Sequence, residues 1–204
     1  MRRTLTAVLA VVAVLALSGC DSSKTPTSST PAEAASAAVD NFAALNNLKG
    51  FTVGTGASSV SMPKAYIFFD PQCPHCSRLW EAAKPLQAKV RIKWIPVGLL
   101  NGLSSTQAAM LIEAADPVAR MAANEATYLA TNRPPTTTAE VKDATRKSVE
   151  ENTDMLRKLN ATSVPFIVYR DPATREMTTV AGVRPTEVLA QMFGVPPDAA
   201  PASK

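Results

Sequence analysis

The 204-residue sequence predicts an α/β fold in which a βαβ half and a ββα half flank a helical insert. Three observations carry this. Two apolar runs, Lys64–Asp70 and Val90–Val97, enclose a helical stripe made by Cys76, Leu79, Trp80 and Ala83 at i, i+3, i+4, i+7. Two stretches of helical composition follow, Ser105–Ala130 and Thr138–Leu159. Strand runs at Phe166–Arg170 and Met177–Ala181 then precede a helix from about Pro185 to Phe193.

Taken in order, the chain begins with Arg2 and Arg3 and an unbroken apolar run, Ala7–Leu17. That run is 11 residues, against roughly 20 needed to span a bilayer, so it reads as the core of a signal peptide. Leu17-Ser18-Gly19-Cys20 resembles the lipobox of bacterial lipoproteins, which implies a signal peptide over 1–19 and a lipidated Cys20. Several acyl chains, at roughly 0.8 kcal/mol per buried methylene, would make that attachment permanent. Residues 20–30 carry a Ser/Thr/Pro/Lys-rich tether able to hold a domain about 20 Å from the membrane. A helix and lead-in are expected over 31–62, with Thr30 as N-cap and Val39, Phe42, Leu45 and Leu48 as its apolar stripe. Gly50 is positioned to end it. Phe51–Val53 reads as a short strand and Lys64–Asp70 as a buried central one.

Asp70-Pro71-Gln72 turns this strand into Cys73-Pro74-His75-Cys76, and Pro85 is expected to kink the following helix. In the insert, Asp116-Pro117 interrupts the first helical stretch and Asn132–Pro135 connects it to the second. Val141, Met155, Leu156 and Leu159 are the expected inner face of that second stretch, and the charges of Lys142–Lys158 its solvated face. The domain is expected to run over 63–195, leaving 196–204 as a Pro/Ala-rich tail.

Hydrophobic residues make up 46% and charged residues 19%, enough for an ordinary core. The net charge of +4 includes Arg2 and Arg3 in the leader, and no Lys/Arg block remains. Nucleic acid is therefore not implied as a partner. The three cysteines are an odd number, which an exported protein must explain. If Cys20 carries lipid, Cys73 and Cys76 form a self-contained pair.

A strand running straight into Cys-x-x-Cys at a helix start, inside a βαβ unit, is the setting of thioredoxin-like redox chemistry. The thiolate is the nucleophile in disulfide exchange, yet an ordinary thiol of pKa about 8.5 is only roughly 3% ionised at pH 7. Unpaired N–H groups and the dipole at a helix N-terminus stabilise the anion. His75 is expected to add to this by charge or hydrogen bond. Cys73 is then the exposed nucleophile and Cys76, one turn in, the resolving thiol. Pro165, after Val164, is expected to be cis and to face the cysteines, holding Val164 extended for pairing with a bound peptide.

Blander readings are a structural disulfide, whose small loop contributes only about 2 kcal/mol, and a metal site. Zinc usually takes four ligands, and His75 is the only histidine. No cofactor is called for. Trp80 and Trp94 read as core, and the methionines as gap-fillers.

Phe69-Asp70-Pro71-Gln72-Cys73-Pro74-His75-Cys76, with Leu79-Trp80, Val97-Gly98, Asp116-Pro117 and Val164-Pro165, resembles the catalytic domain of periplasmic DsbG/DsbC-type disulfide isomerases. The resemblance spans about Lys64 to Gly194. It implies a thioredoxin-like fold with a helical insert, a nucleophilic first cysteine and a cis-Pro loop. Two features depart from the family. Only Pro31–Met62 is available for the separate N-terminal dimerisation domain, which favours a monomer. The pair Pro74-His75, with Val164 before the proline, is similar to the oxidase DsbA, whose stabilised thiolate makes the disulfide more oxidising.

The expected activity is thiol:disulfide exchange with cysteine-containing exported proteins, on the periplasmic side of a membrane and anchored through Cys20. A DsbD-like or DsbB-like membrane protein would be its redox partner. The alternatives are a dedicated isomerase or reductase kept reduced by such a partner, and a non-enzymatic thioredoxin-like binding lipoprotein.

Overall fold

The apolar runs assemble into one five-stranded sheet in the computed structural model, which describes residues 42–54, 63–136 and 138–195. The expected signal peptide, Cys20, the tether, the start of the first helix and the tail lie outside the described residues. The strands are β1 (Phe51–Val53), β2 (Ala65–Phe69), β3 (Ile92–Pro96), β4 (Phe166–Arg170) and β5 (Met177–Ala181), in spatial order β1-β3-β2-β4-β5. β2 and β3 run parallel, with Ile67 opposite Trp94; β4 is antiparallel to β2, with Ile67 opposite Ile167. β1 and β5 close the two edges in antiparallel pairing.

The central strand β2, Ala-Tyr-Ile-Phe-Phe, is buried at every position, as a strand covered on both faces must be. The helices are α1 (Pro74–Ala83), α2 (Ser104–Glu113), α3 (Pro117–Thr131), α4 (Asp143–Lys158) and α5 (Thr186–Met192). Trp80 of α1 and Trp94 of β3 are 1% and 0% exposed and meet edge to face at 5.0 Å, so both belong to the core.

Asp116 explains why the first insert helix divides where it does. Its carboxylate accepts from the Ala119 amide at 2.9 Å, capping α3, while Pro117 takes the first helical position, where no N–H is needed. Asn132 ends α3 in the left-handed region at φ 52°.

Four expectations need correction. Pro85 does not kink α1 but ends it, because the chain continues as a 3-10 turn over Lys84–Leu86. The helix before β1 stops after residue 45, and Gly50 serves a different purpose. A Cβ at Gly50 would collide with the Trp94 carbonyl oxygen. Residues 138–142 are not helical. Finally, the inner face of α4 is Val149, Asn152, Thr153 and Leu156, while Met155 and Leu159 are only partly buried and Val141 precedes the helix. The two polar residues are buried because they are bonded. Asn152 donates to the carbonyls of Lys49 and Pro96 at 2.8 Å each, and Thr153 accepts from the Gly98 amide at 3.1 Å.

Candidate active site

The site forms where β2 ends and α1 begins. The Cys73 amide donates to the Asp70 carbonyl at 3.0 Å, turning the chain, and Cys73 becomes the N-cap residue with Pro74 at N1. Its sulfur therefore lies where a capping oxygen would lie, facing the His75 and Cys76 amides at N2 and N3. Neither amide reaches hydrogen-bond geometry, yet both favour the thiolate. The larger cause is the Cys76 thiol, which points at the Cys73 sulfur. Together they outweigh burial and hold the Cys73 pKa down at about 7. Cys76 behaves oppositely: burial, reinforced by the neighbouring Cys73, pushes its thiol well above the usual range. Both cysteines are free in the structure.

The His75 backbone N–H favours the Cys73 thiolate, and the His75 side chain is exposed. Pro74 is half-buried. The Val164–Pro165 peptide is cis and stands across from the cysteines, where the Cys73 thiol donates to the Val164 carbonyl at 3.5 Å. Turned toward this carbonyl and Cys76, the Cys73 residue keeps only 4% exposure, in place of the open sulfur expected, while Cys76 keeps none. An incoming sulfur therefore meets Cys73 first.

Three residues around the pair had no assigned role. Asp70, fully buried, accepts from the Gln72 amide at 2.8 Å and from the Leu99 and Leu100 amides at 2.8 and 2.9 Å. One carboxylate thus binds the cysteine-bearing turn to the loop after β3. Gln72 extends the same framework, donating to the Pro135 carbonyl at 2.8 Å and accepting from the Asn101 amide side chain at 3.3 Å. Glu125 comes from the insert helix α3, on one stripe with Met121 and Tyr128, and is 2% exposed. Burial, added to by Cys73 and Glu81, pushes its pKa up to about 7 against the opposing effect of Ser77. The sequence signal was an acidic residue at an apolar position of the stripe.

Comparison with known proteins finds relatives over part of the chain. The chain is 30% identical over 131 residues to the thiol:disulfide interchange protein DsbG of Pseudomonas aeruginosa, covering 63% of this chain and 50% of the relative. It is 31% identical over 108 residues to the DsbG of Escherichia coli, covering 51% and 42%. The chain is similar to these two DsbG proteins over part of its length, and its fold is thioredoxin-like. It spans half or less of the length of these two relatives. No family model matches it.

Among solved structures, the fold superposes on a disulfide interchange protein from Neisseria gonorrhoeae with TM-score 0.53 at 18% identity, over 74% of this chain and 95% of that one. The catalytic domain of Proteus mirabilis ScsC gives TM-score 0.54 at 18% identity, over 79% and 96%. At such identities the structural likeness speaks for the fold. Among the described residues no helix is long and apolar enough to cross a membrane.

Proposed function

We propose that this chain is an exported thiol:disulfide oxidoreductase that exchanges disulfides with cysteine-containing proteins, Cys73 acting as nucleophile and Cys76 as resolving thiol. The observation that carries the reading is the asymmetry of the pair. Cys73 is held at about 7 at the start of α1 while its partner, three residues on, is held well above the ordinary range. A low-pKa sulfur is ionised for attack and is a good leaving group, and a high-pKa neighbour stays protonated until it is needed.

Attack proceeds in one sense as follows. The Cys73 thiolate displaces one sulfur of a substrate disulfide, forming a mixed disulfide and a substrate thiolate. Cys76, deprotonated, then attacks the Cys73 sulfur and releases the second substrate sulfur with its electron pair. The substrate is reduced and the protein carries a Cys73–Cys76 disulfide; run backwards, the protein oxidises a dithiol. The depressed Cys73 pKa stabilises the reduced protein, which favours the oxidising direction. Pro74, His75, Val164 and Pro165 frame the reacting sulfurs. Cys20, lipidated, would hold the domain (residues 63–195) at the periplasmic face of a membrane, within reach of a membrane redox partner.

Trapping tests the roles. Cys76→Ala is expected to accumulate mixed disulfides with exported proteins, and Cys73→Ala none. Equal trapping by both variants would remove Cys73 as the nucleophile. Equilibration of the pair with glutathione tests direction: a potential near about −120 mV supports an oxidant, and one near about −270 mV supports a dedicated reductase. Cys20→Ser is expected to move the protein from the membrane to the soluble fraction.

A further inference from the structure

Two strands bound the sheet, and they differ in how their edges are protected. β1 has 3 residues, and shortness is itself a defence against pairing. β5 has 5, Met-Thr-Thr-Val-Ala, with no charge and no proline. It has no bulge either, because its register with β4 runs unbroken from Arg170 opposite Met177 to Phe166 opposite Ala181. Among the described residues β5 pairs with β4 alone. The Gly182 N–H donates to the Pro165 carbonyl at 2.8 Å, and the Asp171 N–H to the Glu176 carbonyl at 2.9 Å. Backbone groups alternate in direction along an antiparallel strand, so those of Glu176, Thr178, Val180 and Gly182 face β4. Those of Met177, Thr179 and Ala181 face outward, where Thr179 and Ala181 are exposed.

We propose that β5 pairs antiparallel with β5 of a second copy of this chain, across a two-fold axis at Thr179, joining two five-stranded sheets into one. The sequence favours a monomer for want of a separate dimerisation domain, but the sheet edge provides another contact. The outward groups are symmetric about Thr179, as a contact between identical surfaces requires. Thr179 bonds its own counterpart through N–H and C=O, and Met177 bonds the partner's Ala181 in the same way. The side chains agree with this register. Two threonines meet at the axis, and Thr178 stands opposite the partner's Val180, both favourable cross-strand pairs.

Charge selects a second copy as the occupant. The same register sets the exposed Glu176 opposite the partner's Gly182. A Cβ at Gly182 would lie 3.7 Å from the Arg184 Nη1, so a guanidinium stands where that residue's own side chain is missing. Arg184 is held there by donating to the Val183 carbonyl at 2.8 Å. Glu176 thus faces a guanidinium at a position of the non-hydrogen-bonded kind, where side chains across two strands come nearest. The two-fold axis repeats this ion pair at the other end of the strand, and a shift of register by two residues breaks both. The active sites stay apart. Gly182 lies beside Pro165, at the end of the sheet that bears Cys73, and the axis sends the partner's site to the opposite end. Each cysteine pair then works alone, so the contact is independent of disulfide exchange. Two short strands make less than the roughly 1,600 Å² of a standard interface, so the dimer is reversible.

Sedimentation velocity of the full-length protein from about 1 to 300 µM tests the contact. Detergent micelles are kept in excess, so that two copies sharing a micelle do not mimic pairing. The average mass should climb from monomer toward dimer. Thr179→Pro removes the central outward N–H without touching the ladder to β4, and Thr179→Lys sets two like charges at the axis; each should weaken association about tenfold or more. Glu176→Arg alone should weaken it about threefold, and adding Arg184→Glu should restore it. Amide exchange should show Met177, Thr179 and Ala181 becoming protected as concentration rises, with Thr178 and Val180 protected throughout. The rate of exchange with glutathione disulfide should be the same in Thr179→Lys as in the parent. A monomer at every concentration overturns the proposal, as does a dimer that survives both Thr179 substitutions. Outward amides protected in a monomer would mean that another segment of this chain covers the edge, and protection that appears only with an added cysteine-containing peptide would assign the edge to substrate; either result overturns it too.

Discussion

Asp70 shows how one residue sets the geometry of a site without reacting. Buried completely, its carboxylate meets amides from Gln72, Leu99 and Leu100, so it joins the segment bearing Cys73 to a loop that lies beyond β3. Charge-assisted bonds of this kind are the stronger ones, and amides left unpaired inside a protein are costly. Asp70→Ala is expected to lower unfolding stability by roughly 3 kcal/mol or more in urea titration. Removing the Asp70 charge by itself lowers the Cys73 pKa, so a midpoint above the parent's would show that loosening of the turn outweighs the lost repulsion. Titrating the thiolate absorbance reads the second effect: the parent midpoint is expected at about 7, and a lower midpoint in the variant would separate Asp70 from the positioning of the sulfur.

At the scale of elements, the sheet edge is held by a close approach of backbones. Gly54, which follows β1, has φ +98°, and a Cβ there would collide with the Val90 carbonyl oxygen and approach the Gln87 carbonyl oxygen to 2.8 Å. Gly54→Ala is expected to cost about 2 kcal/mol or more, since both the left-handed backbone and the contact oppose it. Amide exchange should locate the loss in β1, the strand paired to β3 alone. The insert helices obey subtler rules. Asp116 and Pro117 mark the start of α3 plainly, but α4 presents Asn152 and Thr153 inward, and their burial depends on carbonyls and amides supplied by distant segments.

At the scale of the whole molecule, the shifted groups predict how stability varies with pH in the reduced protein. Glu125 has a raised pKa in the folded state, about 7 against an unfolded value of about 4.3. It therefore contributes stability that is complete below about pH 4.3 and lost as pH rises through 7. Cys73 has a lowered pKa, about 7 against about 8.5 unfolded, so its contribution is complete above about pH 8.5 and lost as pH falls through 7. From these two groups, stability should pass through a minimum near neutrality. Cys76, shifted upward, limits the recovery above about pH 8.5. Urea unfolding of the reduced and oxidised protein over this range tests the scheme. The reduced form should gain about 1 kcal/mol on the oxidised form between pH 7 and 8.5, and Glu125→Gln should flatten the acid limb. Parallel curves for the two redox forms would mean that Cys73 ionises alike folded and unfolded.

Local pattern was sufficient for much of this protein. The period of apolar residues marks every described strand and α1, the Cys73-Pro74-His75-Cys76 segment carries its chemistry in its own spacing, and Asp116-Pro117 announces a helix start, because each of these signals is written within a few neighbouring residues. Other features exist only once the sheet has closed. The burial of Asp70, Asn152 and Thr153 depends on partners up to 103 residues away. The covering of Cys73 depends on Val164, 91 residues on. Glu125 meets the cysteines only because α3 packs on α1. A polar side chain becomes interior when distant groups satisfy it, and a carboxyl acquires an unusual proton affinity from what excludes water around it; neither is a property of the local chain.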